Sequence, residues 1–103
     1  MALVYRPLDY GRFTVPEHMK GGLDRYVSAG IRPGDFLQAI LANDFAEAVL
    51  RADSINKNYL HEYALLLHSG IIPADAWGSR VAVNLWVARG GEPGKQSQTE
   101  RKE

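Results

Sequence analysis

The chain has 103 residues, of which 46% are hydrophobic, and its 12 basic and 12 acidic side chains give a formal net charge of zero. This length suits one domain, and the balanced charge argues against direct DNA binding and against electrostatic attraction to membranes. Cysteine is absent, which excludes disulfides, thiolate nucleophiles and thiolate metal sites. Because no apolar run approaches the roughly 20 residues of a membrane span, we expect a cytoplasmic protein.

The two ends of the chain differ from its middle. Residues 1–13 predict an extended N-terminal arm, because Pro7 and Gly11 interrupt any regular element there. The apolar side chains of the arm predict that it packs on the helical domain, which we place at residues 14–90. Residues 91–103 contain no large apolar side chain and are expected to form a disordered tail.

The first helix is predicted to begin after Thr14, whose hydroxyl would cap it, with Glu17 completing a capping box. Gly30 is the expected left-handed residue at its end. Between these positions, apolar residues fall on one stripe, as a core-facing helix requires: Met19, Leu23, Tyr26 and Val27.

Two short helices are predicted to follow. Pro33 opens the second of them, near residues 35–42. Asn43 and Asp44 then serve as the C-cap of the second helix and the N-cap of the third, with Glu47 three residues beyond Asp44. The Asn43 amide also suits recognition of an adenine edge, although helix capping is the simpler interpretation.

The longest predicted helix starts at Asp53 or Ser54 and ends at Gly70. Its apolar side chains cover about half of its circumference, so it is either central in the bundle or partly buried against another subunit. Residues 80–89 favour a final helix, although alternating apolar residues there would also suit a strand. The whole pattern predicts an all-α fold, a compact bundle of about five short helices, which forms a homo-oligomer to cover its apolar surface.

One edge of the first predicted helix carries His18, Gly22 and Arg25. A guanidinium and an imidazole flanking a glycine gap suit a phosphate or a carboxylate. Arg32 adds a second cation beside the N-terminus of the second helix, whereas Asp35 in that first turn would oppose an anion. The alternative role of Gly22 is to allow a close crossing of two helices without any ligand.

Three further residues complete the candidate ligand-binding set. Tyr26 and Trp77 each offer a ring that either stacks on a nucleobase or belongs to the core. Asn56 falls in the apolar arc of the long helix, where its amide caps locally, fixes an interface register or hydrogen-bonds a ligand. The predicted set is therefore His18, Arg25, Tyr26, Arg32, Asn56 and Trp77.

Patterns that would indicate catalysis or a cofactor are missing from the sequence. His61 and His68 are seven residues apart, about 10 Å along a helix axis, which is too far for both to bind one ion. No nucleophile–base motif, phosphate-binding loop or close pair of carboxylates is present. We therefore predict neither an enzyme nor a protein that holds a cofactor or metal.

The segment GLDRYVSAGIRPGDFLQAILANDFAEAVLRAD, followed by Asn56, Pro73 and WGS at 77–79, is similar to small accessory proteins of tailed bacteriophages and prophages. The similarity spans roughly residues 15–88, and this chain departs from it at HSGIIPADA, just before WGS. The resemblance implies a phage origin and a helical fold, but no particular reaction.

Short phage proteins of this kind often antagonise bacterial defence, which suggests two hypotheses. In the first, the chain acts in the host cytoplasm as a homo-oligomer that sequesters a nucleotide-derived immune signal, such as a cyclic oligonucleotide or an ADP-ribose derivative. In the alternative, it is a protein–protein inhibitor that blocks a host defence complex, as anti-CRISPR proteins do. A small regulator of phage lysis or transcription is a third possibility.

Overall fold

The computed structural model describes residues 7–92, which form five α-helices and no β-strand. The helices are Glu17–Ala29 (α1), Asp35–Leu41 (α2), Phe45–Arg51 (α3), Leu60–Ser69 (α4) and Arg80–Arg89 (α5), with 3₁₀ turns at Asn56–Tyr59 and Ala74–Ala76. The predicted all-α bundle is confirmed, and the segment that also suited a strand is helical. None of the described helices has the length and apolar character needed to cross a bilayer. Residues 1–6 of the arm and 93–103 of the predicted tail lie outside the described residues.

The core is built from the buried faces of α1, α2, α4 and α5. Its largest fully buried side chains are those of Trp86, Tyr26 and Tyr63. The Trp86 indole N–H donates to the Tyr26 carbonyl at 2.8 Å, and the Tyr26 hydroxyl donates to the Ala76 carbonyl at 2.7 Å. Burial raises the pKa of Tyr26 to about 12. The polar atoms of these rings are thus satisfied inside the core, as buried Tyr and Trp require.

The described part of the arm is tied to α1 by Asp24. Its Oδ1 accepts the Leu8 N–H at 2.9 Å and the Tyr10 hydroxyl at 2.9 Å. Tyr10 is buried, and desolvation together with the Asp24 carboxylate raises its pKa well above the usual range. The prediction that the arm packs on the domain is therefore confirmed for these residues.

The capping-box prediction at Thr14 is wrong. α1 begins at Glu17, and Pro16 occupies the N-cap position with φ −55° and ψ 136°. A capping box at Thr14 would need Val15 in helical conformation. Val15 precedes a proline, and the helical region of φ/ψ space is disfavoured for such a residue. Proline at position 16 thus delays the start of the helix, and the Pro16 carbonyl accepts the N–H of Met19 at 2.9 Å.

Local capping chemistry predicted two of the next three boundary residues. Gly30 is the C-cap of α1, with a left-handed φ of 68°. The C-cap of α2 is Ala42 and not Asn43, which follows it with a left-handed φ of 60°. Asp44 is the N-cap of α3, and its Oδ1 accepts the Glu47 N–H at 3.3 Å.

The predicted long helix is shorter than expected. Its first turn is the 3₁₀ segment Asn56–Tyr59, and α4 begins only at the next residue. Asp53 does cap this segment, because its Oδ1 accepts the N–H groups of Ile55 and Asn56 at 3.1 and 2.6 Å. The Asn56 side chain is buried, and its amide oxygen accepts the Tyr63 hydroxyl at 2.7 Å.

Gly30 and Gly91 approach so closely that neither position has room for a side chain. A Cβ on Gly30 would lie 2.7 Å from the Gly91 nitrogen, and one on Gly91 would lie 2.5 Å from the Gly30 nitrogen. We expect Gly30→Ala to lower the free energy of unfolding by about 2–4 kcal/mol, since it adds a backbone clash to a left-handed φ. Urea denaturation measures this loss.

Gly70 offers a matched control for that substitution. It also has a left-handed φ, of 90°, but a Cβ there would meet no atom within 4 Å. Gly70→Ala is therefore expected to cost only about 1–2 kcal/mol, from the backbone conformation alone. Equal losses for the two variants would show that the Gly30–Gly91 approach contributes nothing.

Candidate functional site

A groove of about 270 Å³ lies between one edge of α1 and the linker that leads into α2. It brings together three of the candidate residues from the sequence, His18, Arg25 and Arg32. We call it the cationic groove. Its lining residues are His18, Met19, Gly22, Arg25, Ile31, Arg32, Pro33, Gly34 and Leu37.

Gly22 shapes the groove. A Cβ on this residue would lie 3.2 Å from the Leu37 Cδ1, tighter than an ordinary carbon–carbon contact. The missing side chain therefore lets Leu37 of α2 approach α1 and form part of the groove lining. This contact favours the close-approach interpretation of Gly22, while its role as a gap for a phosphate or carboxylate stays a prediction.

The linker departs slightly from its predicted geometry. α2 begins at Asp35 with Gly34 as its N-cap, so Pro33 lies before the helix and not in its first turn. The Pro33 carbonyl instead accepts the side-chain amide N–H of Gln38 at 3.0 Å. This contact fixes Gln38 beside the groove.

Neutral groups hold Arg32 in position. Its Nη1 donates to Oε1 of Gln38 at 3.1 Å and to Oδ1 of Asn84 at 3.0 Å. Both partners are amides, so they orient the guanidinium without neutralising its charge. α5 thus contributes to the site through Asn84, although Asn84 was not among the predicted site residues.

Arg25 lies at the other side of the groove. Its side chain is exposed and folds over Gly21, where a Cβ would lie only 3.1 Å from the Arg25 Nη1. Within residues 7–92, no carboxylate pairs with Arg25 or with Arg32. The groove therefore presents two guanidinium groups whose charge is not compensated by the described part of the fold.

The other described arginines either form ion pairs or lie outside the groove. Arg12, exposed in the arm, also has no carboxylate partner among the described residues, but it does not line the groove. The other three arginines within residues 7–92 are paired: Arg51 with Glu47 at 2.7 Å and Asp35 at 3.5 Å, Arg80 with Asp44 at 3.1 Å, and Arg89 with Asp75 at 3.7 Å. Asp35, which was expected to oppose an anion, thus points its carboxylate at Arg51 and does not line the groove.

His18 lies at the end of the groove and contacts Asp53. Its Nε2 is 3.3 Å from Oδ2 of Asp53. The pKa of Asp53 is lowered first by the hydrogen bond from the Asn56 N–H and also by His18. The negatively charged Asp53 carboxylate beside His18 would repel an anion at this end of the groove. We therefore assign the main attraction for an anion to Arg25 and Arg32.

Acid should weaken the fold through the two capping carboxylates. The pKa of Asp44 is lowered mainly by Arg80, and that of Asp53 mainly by the Asn56 N–H. Since both bind protons less readily in the folded state, their stabilisation is complete above the unfolded pKa of about 3.9 and is lost as the pH falls below it. We expect Tm to fall below about pH 4 and to fall less steeply in Asp53→Asn. Parallel Tm profiles for the variant and the parent would contradict this.

The other three predicted site residues lie away from the groove. Tyr26 is fully buried, which favours its core alternative and leaves no ring face for a ligand. Asn56 is buried against Tyr63. Trp77 is half-buried beside the turn Ala74–Ala76 and does not line the groove. The structure thus brings together His18, Arg25 and Arg32 but separates Tyr26, Asn56 and Trp77 from them.

A second surface feature is apolar. Phe45 and Leu50 of α3 are 73% and 78% exposed, and Val81 and Leu85 of α5 are 66% and 64% exposed. A small apolar pocket lined by residues of α2, α3 and α4 adjoins Phe45. We call these four side chains the apolar patches of α3 and α5.

Neither a metal-binding cluster nor a similarity to known proteins supports a function for the groove. Residues 7–92 contain no group of three or more His, Asp or Glu side chains placed to hold a metal ion. No protein-family model, curated protein or solved structure matches the chain. Contacts, burial and charge therefore carry the functional interpretation, and the similarity to phage accessory proteins stays a prediction.

Proposed function

We propose that this protein is a binding module that captures a phosphate-bearing, nucleotide-derived molecule in the cationic groove. In a phage setting, such capture would sequester a bacterial immune signal. The supporting observation is that Arg25 and Arg32 line one cavity without carboxylate partners among the described residues, while Arg51, Arg80 and Arg89 are paired. Guanidinium groups in a concave site favour phosphate through bidentate, charge-assisted hydrogen bonds.

The expected strength follows from the number of charged contacts. A hydrogen bond to a charged group contributes about 1.5–3 kcal/mol. Two such contacts approach the roughly 4 kcal/mol of a millimolar complex, and a micromolar complex needs about twice as much. The predicted homo-oligomer would add contacts by closing a second copy over the open groove.

Asn84→Asp tests the proposal with a single isosteric change. The new carboxylate would lie where the amide oxygen now accepts Arg32 at 3.0 Å, and would neutralise that guanidinium without removing it. We expect affinity for nucleotide-derived phosphates to fall about tenfold, while Tm is unchanged or slightly higher. Isothermal titration calorimetry at low salt measures the affinity.

The control is Arg12→Ala, which removes an exposed cation outside the groove. Its affinity should match that of the parent protein. If Asn84→Asp and Arg12→Ala behave alike, or if the parent binds no member of a panel of nucleotide-derived signals, the proposal is wrong.

The apolar patches of α3 and α5 favour a second candidate function, the inhibition of a host defence complex by direct protein contact. Exposed aromatic and aliphatic side chains of this size are typical of protein–protein interfaces. Co-purification from host lysate separates the two functions. A stoichiometric partner that is lost with Phe45→Glu but retained with Arg25→Glu supports the inhibitor. Absence of any stoichiometric protein partner, together with phosphate binding that is lost in Arg25→Glu, supports the binding module.

A further inference from the structure

The lining of the cationic groove contains no Phe, Tyr or Trp ring, and its single aromatic group is the His18 imidazole, whose Nε2 lies 3.3 Å from the Asp53 carboxylate. Tyr26, the ring nearest in sequence to Arg25, is buried and bonded to the Ala76 carbonyl. Trp77 does not line the groove. Proteins usually hold an unpaired base by stacking it on an aromatic face, and for this the groove offers only the small imidazole, which is already in contact with Asp53.

Three of the four polar atoms in the Gln38 and Asn84 side-chain amides are already engaged. The oxygens of Gln38 and Asn84 both accept Nη1 of Arg32, and the Gln38 amide nitrogen donates to the Pro33 carbonyl at 3.0 Å. Base edges are read by free amide, carboxylate or guanidinium groups at defined positions. A guanidinium plane also stacks on bases, but every base has a π-face, so that contact does not discriminate among them.

The groove is small. Its volume of about 270 Å³ is close to the lower end of the roughly 300–1,000 Å³ of sites that enclose a drug-sized ligand. Two guanidinium groups in such a space match two adjacent phosphates that share a bridging oxygen. In a cyclic oligonucleotide, by contrast, a nucleoside separates each phosphate from the next.

On the basis of the proposed function, we infer that the groove binds the diphosphate group of its ligand and leaves the base outside. The ligand class is a diphosphate ester, such as a nucleoside diphosphate or an ADP-ribose derivative. Of the two signal classes predicted from the sequence, ADP-ribose derivatives contain this group and cyclic oligonucleotides do not. Arg25 and Arg32 hold the two phosphates, and Gln38 and Asn84 position Arg32 (Nη1 to oxygen, 3.1 and 3.0 Å).

Calorimetry at low salt tests the inference with ADP, GDP, CDP, UDP, ADP-ribose and inorganic pyrophosphate, compared with adenosine and cyclic di-AMP. We expect the four nucleoside diphosphates to bind within about threefold of one another, because no base contact discriminates them. Pyrophosphate should bind within about tenfold of ADP, and cyclic di-AMP at least about tenfold more weakly. Adenosine should give no saturable heat. Asn84→Asp should lower every affinity by a similar factor.

The outcomes separate this inference from the proposed function. A preference of more than about tenfold for one base, or tighter binding of cyclic di-AMP, overturns the diphosphate inference and leaves a phosphate-binding groove in place. Failure of every phosphate compound to bind overturns both. Binding that is unchanged in both Asn84→Asp and Arg25→Ala also overturns both, because the ligand would then lie elsewhere on the protein.

Discussion

Replacing Trp86 with alanine is expected to lower the free energy of unfolding by about 3–5 kcal/mol. The indole is 1% exposed, its centroid lies 6.3 Å from that of Tyr26, and its N–H donates to the Tyr26 carbonyl at 2.8 Å. The Arg89 guanidinium lies 4.2 Å from the ring centroid, so a cation–π contact is lost as well. Small domains have a total stability of only about 5–15 kcal/mol, so this variant should be close to unfolding at room temperature.

Urea denaturation followed by far-UV circular dichroism measures the loss without relying on the fluorescence of the deleted tryptophan. Leu85→Ala is the matched control, because its side chain lies on the same helix but is 64% exposed. It should change the free energy of unfolding by about 0.5 kcal/mol or less. A loss below about 1.5 kcal/mol for Trp86→Ala would mean that α5 is not packed into the core as described.

The largest expected effect on binding is that of the double variant Arg25→Glu/Arg32→Glu. Both guanidinium groups line the groove, and their reversal replaces two attractive contacts with two repulsive charges. Each charged hydrogen bond contributes about 1.5–3 kcal/mol, so the affinity for pyrophosphate should fall by about 100-fold or more. Calorimetry at low ionic strength measures this change, since salt screens exposed charges.

Two controls make that result specific. Arg12→Glu/Lys57→Glu applies the same change in net charge at two exposed positions outside the groove, and it should reduce the affinity only slightly. The circular dichroism spectrum and Tm of the groove variant show whether it remains folded. Equal losses in the two double variants would mean that pyrophosphate responds to overall charge and not to a site.

Sequence reasoning worked where one short segment decides the structure. The left-handed conformations of Gly30 and Asn43 and the capping carboxylates of Asp44 and Asp53 follow from the chemistry of a few neighbouring residues. The cationic edge of α1 was also predictable from helical spacing. The Thr14 cap was wrong because the effect of Pro16 on Val15 was not weighed against the capping motif.

Contacts between residues far apart in the chain could not be predicted from the sequence. Asn84 lies 52 residues from the Arg32 that it orients, and Asp35 is turned towards an arginine 16 residues away. Periodicity also leaves open which side of a partly apolar helix meets the core, so Tyr26 and Asn56 remained candidates for ligand contacts although both are buried. His18, Arg25 and Arg32 were thus accessible to sequence reasoning, but the neutral partners of Arg32 and the lack of described carboxylate partners for the two arginines were not.

The most direct test of the cationic groove is a titration of the ¹⁵N-labelled protein with inorganic pyrophosphate, followed by two-dimensional NMR. We expect the amide signals of Gly22, Arg25, Arg32 and Gly34 to shift together along one saturable curve, while those of Arg12 and Lys57 stay in place. Shifts that do not saturate, or that appear mainly at residues outside the groove, would contradict the assignment of this surface as an anion site.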